Sequence, residues 1–269
     1  MSDFQTLRLE PEANRPQVWR LSLIRPDVRN AFDDRLIKEL RQAWESVRER
    51  VSAGGEGAPR ALVVTGEGTA FSAGADLNWM KRQKEATLEE NIGDAQQMAE
   101  MFRELATLPL PTVARVNGHA IGGGTGLVAA CDIAVATDTA TFAFSEVRLG
   151  LIPAVISPFV LRAIGERHAR EWMMTGNRFD AGTAARIGLI HQAVPVDDLD
   201  AAVASRLEGI LVAGPNSVRA CKEMIDLVSP HPSLTDHEST LARQIARLRV
   251  SPEGQEGISA FLEKRRPSF

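Results

Sequence analysis

The sequence of 269 residues contains no tyrosine and only two cysteines, Cys131 and Cys221. They are far apart and do not form a Cys-x-x-Cys motif, so they do not match a metal or redox site of that kind. Their small and apolar neighbours are typical of reduced cysteines packed in a protein interior. A disulfide between the two remains an alternative, but we expect a reducing, cytoplasmic compartment.

Long hydrophobic runs are also missing. No stretch approaches the ~18 consecutive apolar residues that a membrane helix needs, so we expect no membrane span. The N-terminal stretch is acidic, is interrupted by proline and has no apolar segment. It therefore does not match the pattern of a signal peptide.

The chain has no excess of positive charge, with 31 Lys and Arg against 35 Asp and Glu and a formal net charge of −4. Because phosphate neutralisation drives nucleic-acid binding, this balance argues against a nucleic-acid partner, while a local basic site for a small polyanion stays open. What is present is an ordinary globular composition, with 44% hydrophobic and 25% charged residues. Such a composition excludes a disordered chain and permits a large core.

Strand and helix patterns alternate through the chain up to about residue 195. The predicted elements include strands at Thr6–Leu9, Val18–Ile24, Ala61–Thr65 and Thr112–Val116, and helices at 32–51 and 88–105. This alternation favours an α/β fold with a largely parallel sheet. Helical patterns dominate after Pro153. We predict a β/α core over residues 1–195 and a helical region over residues 196–269 that packs on another surface, such as a neighbouring subunit.

The segment from Phe71 to Leu77 reads Phe-Ser-Ala-Gly-Ala-Asp-Leu and follows a buried strand. Its small residues allow a ligand to approach the backbone, and Gly74 can adopt a positive φ. Asp76 is a candidate N-cap for a short helix, whose free amides would bind an anion. The alternative is a strand-to-helix turn that needs small residues only for packing.

A second segment, from Val116 to Leu127, places three consecutive glycines between a strand and an apolar helix. Glycines at a helix N-terminus expose amide donors. No Lys-Ser/Thr pair follows, so the segment is not a P-loop, and its context does not fit a dinucleotide-binding fingerprint. An oxyanion hole for a developing enolate remains, beside the alternative of a close helix–sheet crossing.

A third segment, from Phe142 to Pro153, contains a lone carboxylate, Glu146, in an apolar run. Burial would raise its pKa toward a value suited to acid–base chemistry. If the segment were a strand, Arg148 would share the face of Glu146, so a structural ion pair is the alternative. His168 and His191 have no partners at metal-ligand spacing, and we expect no metal.

In this order and spacing, Phe-Ser-Ala-Gly-Ala-Asp-Leu, Asn-Gly-His-Ala-Ile-Gly-Gly-Gly and Ser-Glu-Val-Arg-Leu-Gly-Leu-Ile-Pro resemble the enoyl-CoA hydratase/isomerase (crotonase) family. The likeness extends from Leu23 to Arg265. It implies a ClpP/crotonase-like spiral of ββα units with a helical C-terminal trimerisation region, assembled as a homotrimer or a dimer of trimers. It also implies acyl-CoA thioester substrates and no separate cofactor, since coenzyme A is part of the substrate.

The resemblance also implies roles for individual residues. The backbone amides of Ala75 and Gly123 match the oxyanion hole, and Glu146 matches a catalytic glutamate. The positions that match substrate-binding residues are Arg25, Val28, Ala31, Ala73, Asp76, Leu77, Gly122 and Lys264. Of these, Lys264 corresponds to a residue type that reaches the phosphates of CoA, often from a neighbouring subunit.

The sequence departs from the family pattern at Gly126, where hydratases usually carry a first glutamate. Glu146 is then the single carboxylate, and the expected activity is hydration of an α,β-unsaturated acyl-CoA, with isomerisation of an enoyl-CoA by Glu146 as the alternative. Several segments look like those of bacterial methylglutaconyl-CoA hydratases, which suggests 3-methylglutaconyl-CoA as substrate, in leucine or fatty-acid catabolism. Arg148 or Lys81 would then bind its second carboxylate. RNA binding, known for some relatives, is disfavoured by the single basic residue, Arg103, in the 88–105 helix.

Overall fold

A computed structural model describes residues 4–55, 57–230 and 234–269, excepting the side chain of Leu234. The predicted regions 1–195 and 196–269 include residues 1–3, 56 and 231–233, which lie outside the described residues. The strands are β1 (Leu7–Glu12), β2 (Arg15–Leu23), β3 (Ala61–Gly66), β4 (Ala70–Ser72), β5 (Thr112–Val116), β6 (His119–Ile121), β7 (Ile133–Thr137), β8 (Thr141–Ala143), β9 (Arg178–Asp180) and β10 (Gln192–Val194).

The α-helices are α1 (Asp34–Ala53), α2 (Leu77–Glu85), α3 (Leu88–Ala106), α4 (Gly123–Ala130), α5 (Ser157–Thr175), α6 (Ala181–Arg186), α7 (Leu199–Leu211), α8 (Pro215–Val228), α9 (Leu234–Val250) and α10 (Pro252–Leu262). Short 3₁₀ helices cover Pro26–Val28, Ser145–Leu149 and Val196–Asp198. No helix among the described residues has the length and apolar character needed to cross a membrane.

A six-stranded sheet in the order β1-β2-β3-β5-β7-β10 forms the centre of the molecule. Its strands pair in parallel except for β1, which pairs with β2 in antiparallel fashion. β3 is buried along its whole length, because alternate side chains point to opposite faces and both faces are covered. The expectation of a largely parallel α/β sheet is therefore confirmed.

Helices cover the two faces of this sheet. The apolar side of α1, including Leu36, Leu40 and Trp44, joins the larger core with Leu62 and Val64. On the opposite face, the apolar side of α7 packs on the strands, in a second cluster formed by Val18, Ala61, Val63, Val113, Val135, Val194, Leu199, Val203 and Leu207. The helical region thus begins with a helix that belongs to the packing of the sheet.

A second sheet of four strands, in the order β4-β6-β8-β9, stands beside the first. Each of its strands has only three residues, so none shows the alternation from which a strand is predicted. β4, β6 and β8 pair in parallel. Because the chain leaves parallel strands at the same edge, this sheet brings together the three segments that carry the sequence motifs.

Candidate active site

The loop after β4 exposes the backbone amide of Ala75. The amide of Phe32 donates to the Gly74 carbonyl at 2.7 Å, and the amide of Asp76 donates to the Phe32 carbonyl at 2.8 Å. Ala75 thus stands in a parallel β-bridge with Phe32. Because successive N–H groups of an extended backbone alternate in direction, the Ala75 amide points away from Phe32, and Ala75 is exposed.

The beginning of α4 packs against this loop. A Cβ atom built on Gly74 would lie 2.9 Å from the Ile121 carbonyl oxygen, and one built on Gly124 would lie 2.5 Å from the Ser72 carbonyl oxygen. Glycine at both positions lets the two backbones approach this closely. The first amides of α4, including that of Gly123, have no acceptor within the helix. Two amide-bearing segments, at Ala75 and Gly123, are therefore neighbours, as an oxyanion hole requires.

Glu146 lies over the turn that precedes α4. A Cβ atom built on Gly122, whose φ is 52°, would lie 3.0 Å from Oε1 of Glu146. Oε2 is buried and has no hydrogen-bond partner among the described residues. Burial raises the pKa of the Glu146 carboxyl above its usual range, against a smaller opposing effect of its own backbone amide. A carboxyl group with a raised pKa can accept and return a proton at a higher pH than an exposed glutamate.

Arg25 joins the segment before α1 to the loop that precedes α2. Its guanidinium lies 2.8 Å from Asp33 and 3.1 Å from Asp76, and it also donates to the Ala31 carbonyl. Asp76 caps α2 by accepting from the amides of Asn78 and Trp79. Although burial alone would raise the pKa of Asp76, these amides and Arg25 together lower it. The predicted N-cap is thus confirmed.

The structure brings most of the predicted substrate-binding residues to this one region. The Ala73 amide donates to the Arg29 carbonyl at 2.9 Å, which places Val28 and Ala31 beside Ala73, Asp76 and Leu77. Lys264 is not part of this group. It lies after α10, which packs on α9, and its side chain is exposed.

Comparisons with known proteins agree with this arrangement. The family model described as enoyl-CoA hydratase/isomerase matches residues 14–269. The chain belongs to this family. An enoyl-CoA hydratase from Shewanella pealeana has a similar structure, with a TM-score of 0.92 and 39% identity over 99% of this chain and 97% of its own. AtuE of Pseudomonas aeruginosa has a TM-score of 0.90 and 35% identity, covering 98% of each chain.

A curated relative from Thermus thermophilus, whose name assigns it to the enoyl-CoA hydratases, is 35% identical over 244 residues, which is 91% of this chain and 94% of its own. The crotonase fold and the enzymatic character of the family therefore hold for this chain. The fold itself explains why the motifs meet, since the three loops of the crotonase core leave one edge of the small sheet.

One interpretation of the third motif was wrong. The segment Ser145–Leu149 is a 3₁₀ helix and not a strand, so Glu146 and Arg148 do not share a face. Arg148 donates instead to Asn177 at 2.6 Å, beyond the end of α5. Arg148 is therefore not the ion-pair partner of Glu146.

Sequence reasoning missed two neighbours of the motifs. The Met98 side chain comes within 3.0 Å of a Cβ atom built on Gly123. The Ile156 side chain packs against Gly126, although 30 residues separate the two in the chain. Nothing in either residue type signals such a position, because both are ordinary apolar core residues.

Proposed function

We propose that the chain hydrates α,β-unsaturated acyl-CoA thioesters, with Glu146 as the single acid–base group and the amides of Ala75 and Gly123 as the oxyanion hole. The observation that carries this proposal is the position of the Glu146 carboxyl, which is desolvated and lies against the turn that begins α4. A carboxyl beside exposed amides is the arrangement needed for proton transfer next to a developing oxyanion.

The proposed reaction uses Glu146 twice. The carboxylate removes a proton from water as the water oxygen bonds to the β-carbon of the enoyl group. The electron pair of the carbon–carbon double bond then moves toward the thioester carbonyl, whose oxygen becomes negatively charged and accepts from the amides of Ala75 and Gly123. Protonated Glu146 next gives its proton to the α-carbon, which yields the 3-hydroxyacyl thioester and restores the carboxylate.

The electrostatics of Glu146 suit both steps. Burial disfavours the charged form, so the carboxylate is a stronger base than an exposed one and its acid form is populated closer to neutral pH. Rates that depend on the carboxylate should fall as the pH falls through this raised pKa. We therefore expect the acidic limb of the kcat/KM profile at higher pH than an ordinary glutamate would give.

For the acyl group we propose 3-methylglutaconyl-CoA, supported by the sequence motifs shared with that branch. Since Arg148 faces Asn177, the second carboxylate of this substrate needs another partner. Lys81 on α2 is exposed and follows the Asp76 cap, so we propose that Lys81 binds this carboxylate. Coenzyme A enters as part of the substrate, and the proposed reaction uses no further cofactor.

The test is hydration of 3-methylglutaconyl-CoA and crotonyl-CoA by the wild type, by Glu146→Gln and by a control. General acid–base groups typically contribute about 10²–10⁴-fold, so Glu146→Gln should lower kcat/KM by at least 10²-fold. Glu166→Gln is the matched control, because Glu166 is an exposed glutamate of α5 that pairs with Arg170. It should leave the rate unchanged.

Each result has a defined reading. Retained hydration by Glu146→Gln would refute the role of Glu146, and equal rates on the two thioesters would refute the choice of acyl group. Exchange of deuterium at the α-carbon without hydrated product would indicate that the enzyme isomerises its substrate and does not hydrate it.

We further propose that the protein acts as a homotrimer or a dimer of trimers. The helical region exposes large apolar side chains on α8, α9 and α10, namely Met224, Ile225, Leu227, Ile245, Val250, Ile258, Phe261 and Leu262. Apolar surface on this scale is typical of an interaction surface. Light scattering after gel filtration would show a mass three or six times 29.3 kDa, and a monomer would contradict the proposal.

A further inference from the structure

Gly126 occupies the position where hydratases usually carry a first glutamate, and its neighbours in the fold decide whether a side chain fits there. Gly126 is three residues after Gly123 in α4, so the two lie on the same side of the helix. A Cβ atom built on Gly126 would lie 2.2 Å from Cγ2 and 3.0 Å from Cβ of Ile156, and 3.1 Å from the ring of Phe102. A carbon–carbon contact of 2.2 Å does not occur in real proteins, and the contacts at 3.0 and 3.1 Å are tight, so even alanine does not fit unless a neighbour moves.

The two neighbours are held firmly in place. Ile156 is 1% exposed and occupies the N-cap position of α5. Phe102 is fully buried, with ring centroids 6.3 Å from that of Phe32 and 6.1 Å from that of Phe159. Because the interior is close-packed, moving either side chain displaces further residues.

We propose that Ile156 is the residue that limits this site to one carboxylate. Its side chain fills the volume that any side chain at position 126 would need, so Gly126 and Ile156 form a complementary pair. The inference rests on the proposed function, because it concerns which groups take part in the reaction. With the apolar side chains of Ile156 and Phe102 around this position, both proton transfers, from water and to the α-carbon, fall to Glu146.

The proposal predicts a change of sign in the effect of alanine at position 126. In a helix with open space, replacing glycine by alanine stabilises the fold and should raise Tm by about 1–4 °C. Gly126→Ala in the wild type should instead lower Tm by about 2–12 °C, because it overpacks the core. In the Ile156→Gly background, the same substitution should lose this penalty.

Gly209→Ala in α7 is the matched control, since nothing lies within 4 Å of a Cβ atom built on Gly209. It should raise Tm in both backgrounds. If Ile156→Gly does not fold, Ile156→Ala serves as the second background, because it removes the Cγ2 contact at 2.2 Å and leaves the Cβ contact at 3.0 Å. The Gly126→Ala penalty should then be smaller than in the wild type.

The same logic applies to a carboxylate at position 126. Gly126→Glu should fold with a Tm within a few degrees of its parent only when Ile156 is replaced by glycine. Equal Tm losses for Gly126→Ala in the presence and absence of Ile156, or a stable Gly126→Glu single variant, would overturn the proposal. A wild type that hydrates no thioester, with the Tm reversal intact, would overturn the proposed function and leave the assignment of Ile156 standing.

Discussion

Replacement of Asn30 should disturb the structure around the site without removing a group that takes part in the proposed reaction. It is fully buried, and its φ of 55° lies in the left-handed region that asparagine tolerates. Its Nδ2 donates to the carbonyls of Glu67 and Ala70, each at 2.9 Å, and its Oδ1 accepts from the Arg25 amide at 2.9 Å. One side chain thus joins the Arg25 segment to the turn before β4.

Asn30→Ala removes these three hydrogen bonds and leaves their partners without the side chain. A buried polar group that loses its partner costs about 1–3 kcal/mol. The Ala70 carbonyl is buried and pays most of this cost, whereas the other two groups have partial access to water. The expected loss in the free energy of unfolding is about 4 kcal/mol, which corresponds to a fall in Tm of about 8–16 °C.

The assay is thermal unfolding, with kcat/KM as the second readout. Asn91→Ala is the control, because the Asn91 side chain also makes three hydrogen bonds but near the surface of α3. Its Nδ2 donates to the carbonyls of Gln83, Ala86 and Thr87. Water replaces these bonds, so its Tm should fall by a few degrees at most. If Asn30→Ala and Asn91→Ala lower Tm equally, burial is not what makes the Asn30 bonds costly, and the reasoning is refuted.

Three further outcomes are expected. Folding raises the pKa of Glu146, so the fold loses stability as the pH rises from the pKa of an unfolded glutamate to the raised value. Glu146→Gln should therefore raise Tm at pH 8 and lose this gain below pH ~4. An equal Tm difference at both pH values would contradict this expectation. Asp76→Ala removes the cap of α2 and should cost about 1 kcal/mol in unfolding experiments, together with a higher KM for acyl-CoA. Leu207→Ala, fully buried against the sheet, should cost about 2–5 kcal/mol by denaturant titration; a loss below 1 kcal/mol would show that α7 does not pack as described.

Elements with long, regular apolar patterns could be predicted from the sequence. The predicted helix at 88–105 is α3 (Leu88–Ala106), and the predicted strand Thr112–Val116 is β5. The small sheet could not be predicted, because a strand of three residues has no measurable alternation. The segment after β8 is likewise too short to distinguish a strand from the 3₁₀ helix that it forms, so the ion-pair alternative for Arg148 could be decided only in the structure.

The site shows a second limit of prediction from sequence, since much of its geometry depends on glycines, which have no side chain. Gly74 and Gly124 allow two stretches of backbone to meet, and Gly122 leaves room for the Glu146 carboxyl. The groups brought together are largely amides that every residue possesses. Only Glu146 indicates a catalytic role by its residue type. The other site residues could be predicted only from the order and spacing of whole motifs. The contact between Gly126 and Ile156 could not be predicted even from the motifs, because a motif describes neighbours in the chain and these two residues meet only in the fold. A glycine at a position where a carboxylate is expected can therefore be interpreted only together with the side chain that occupies its space.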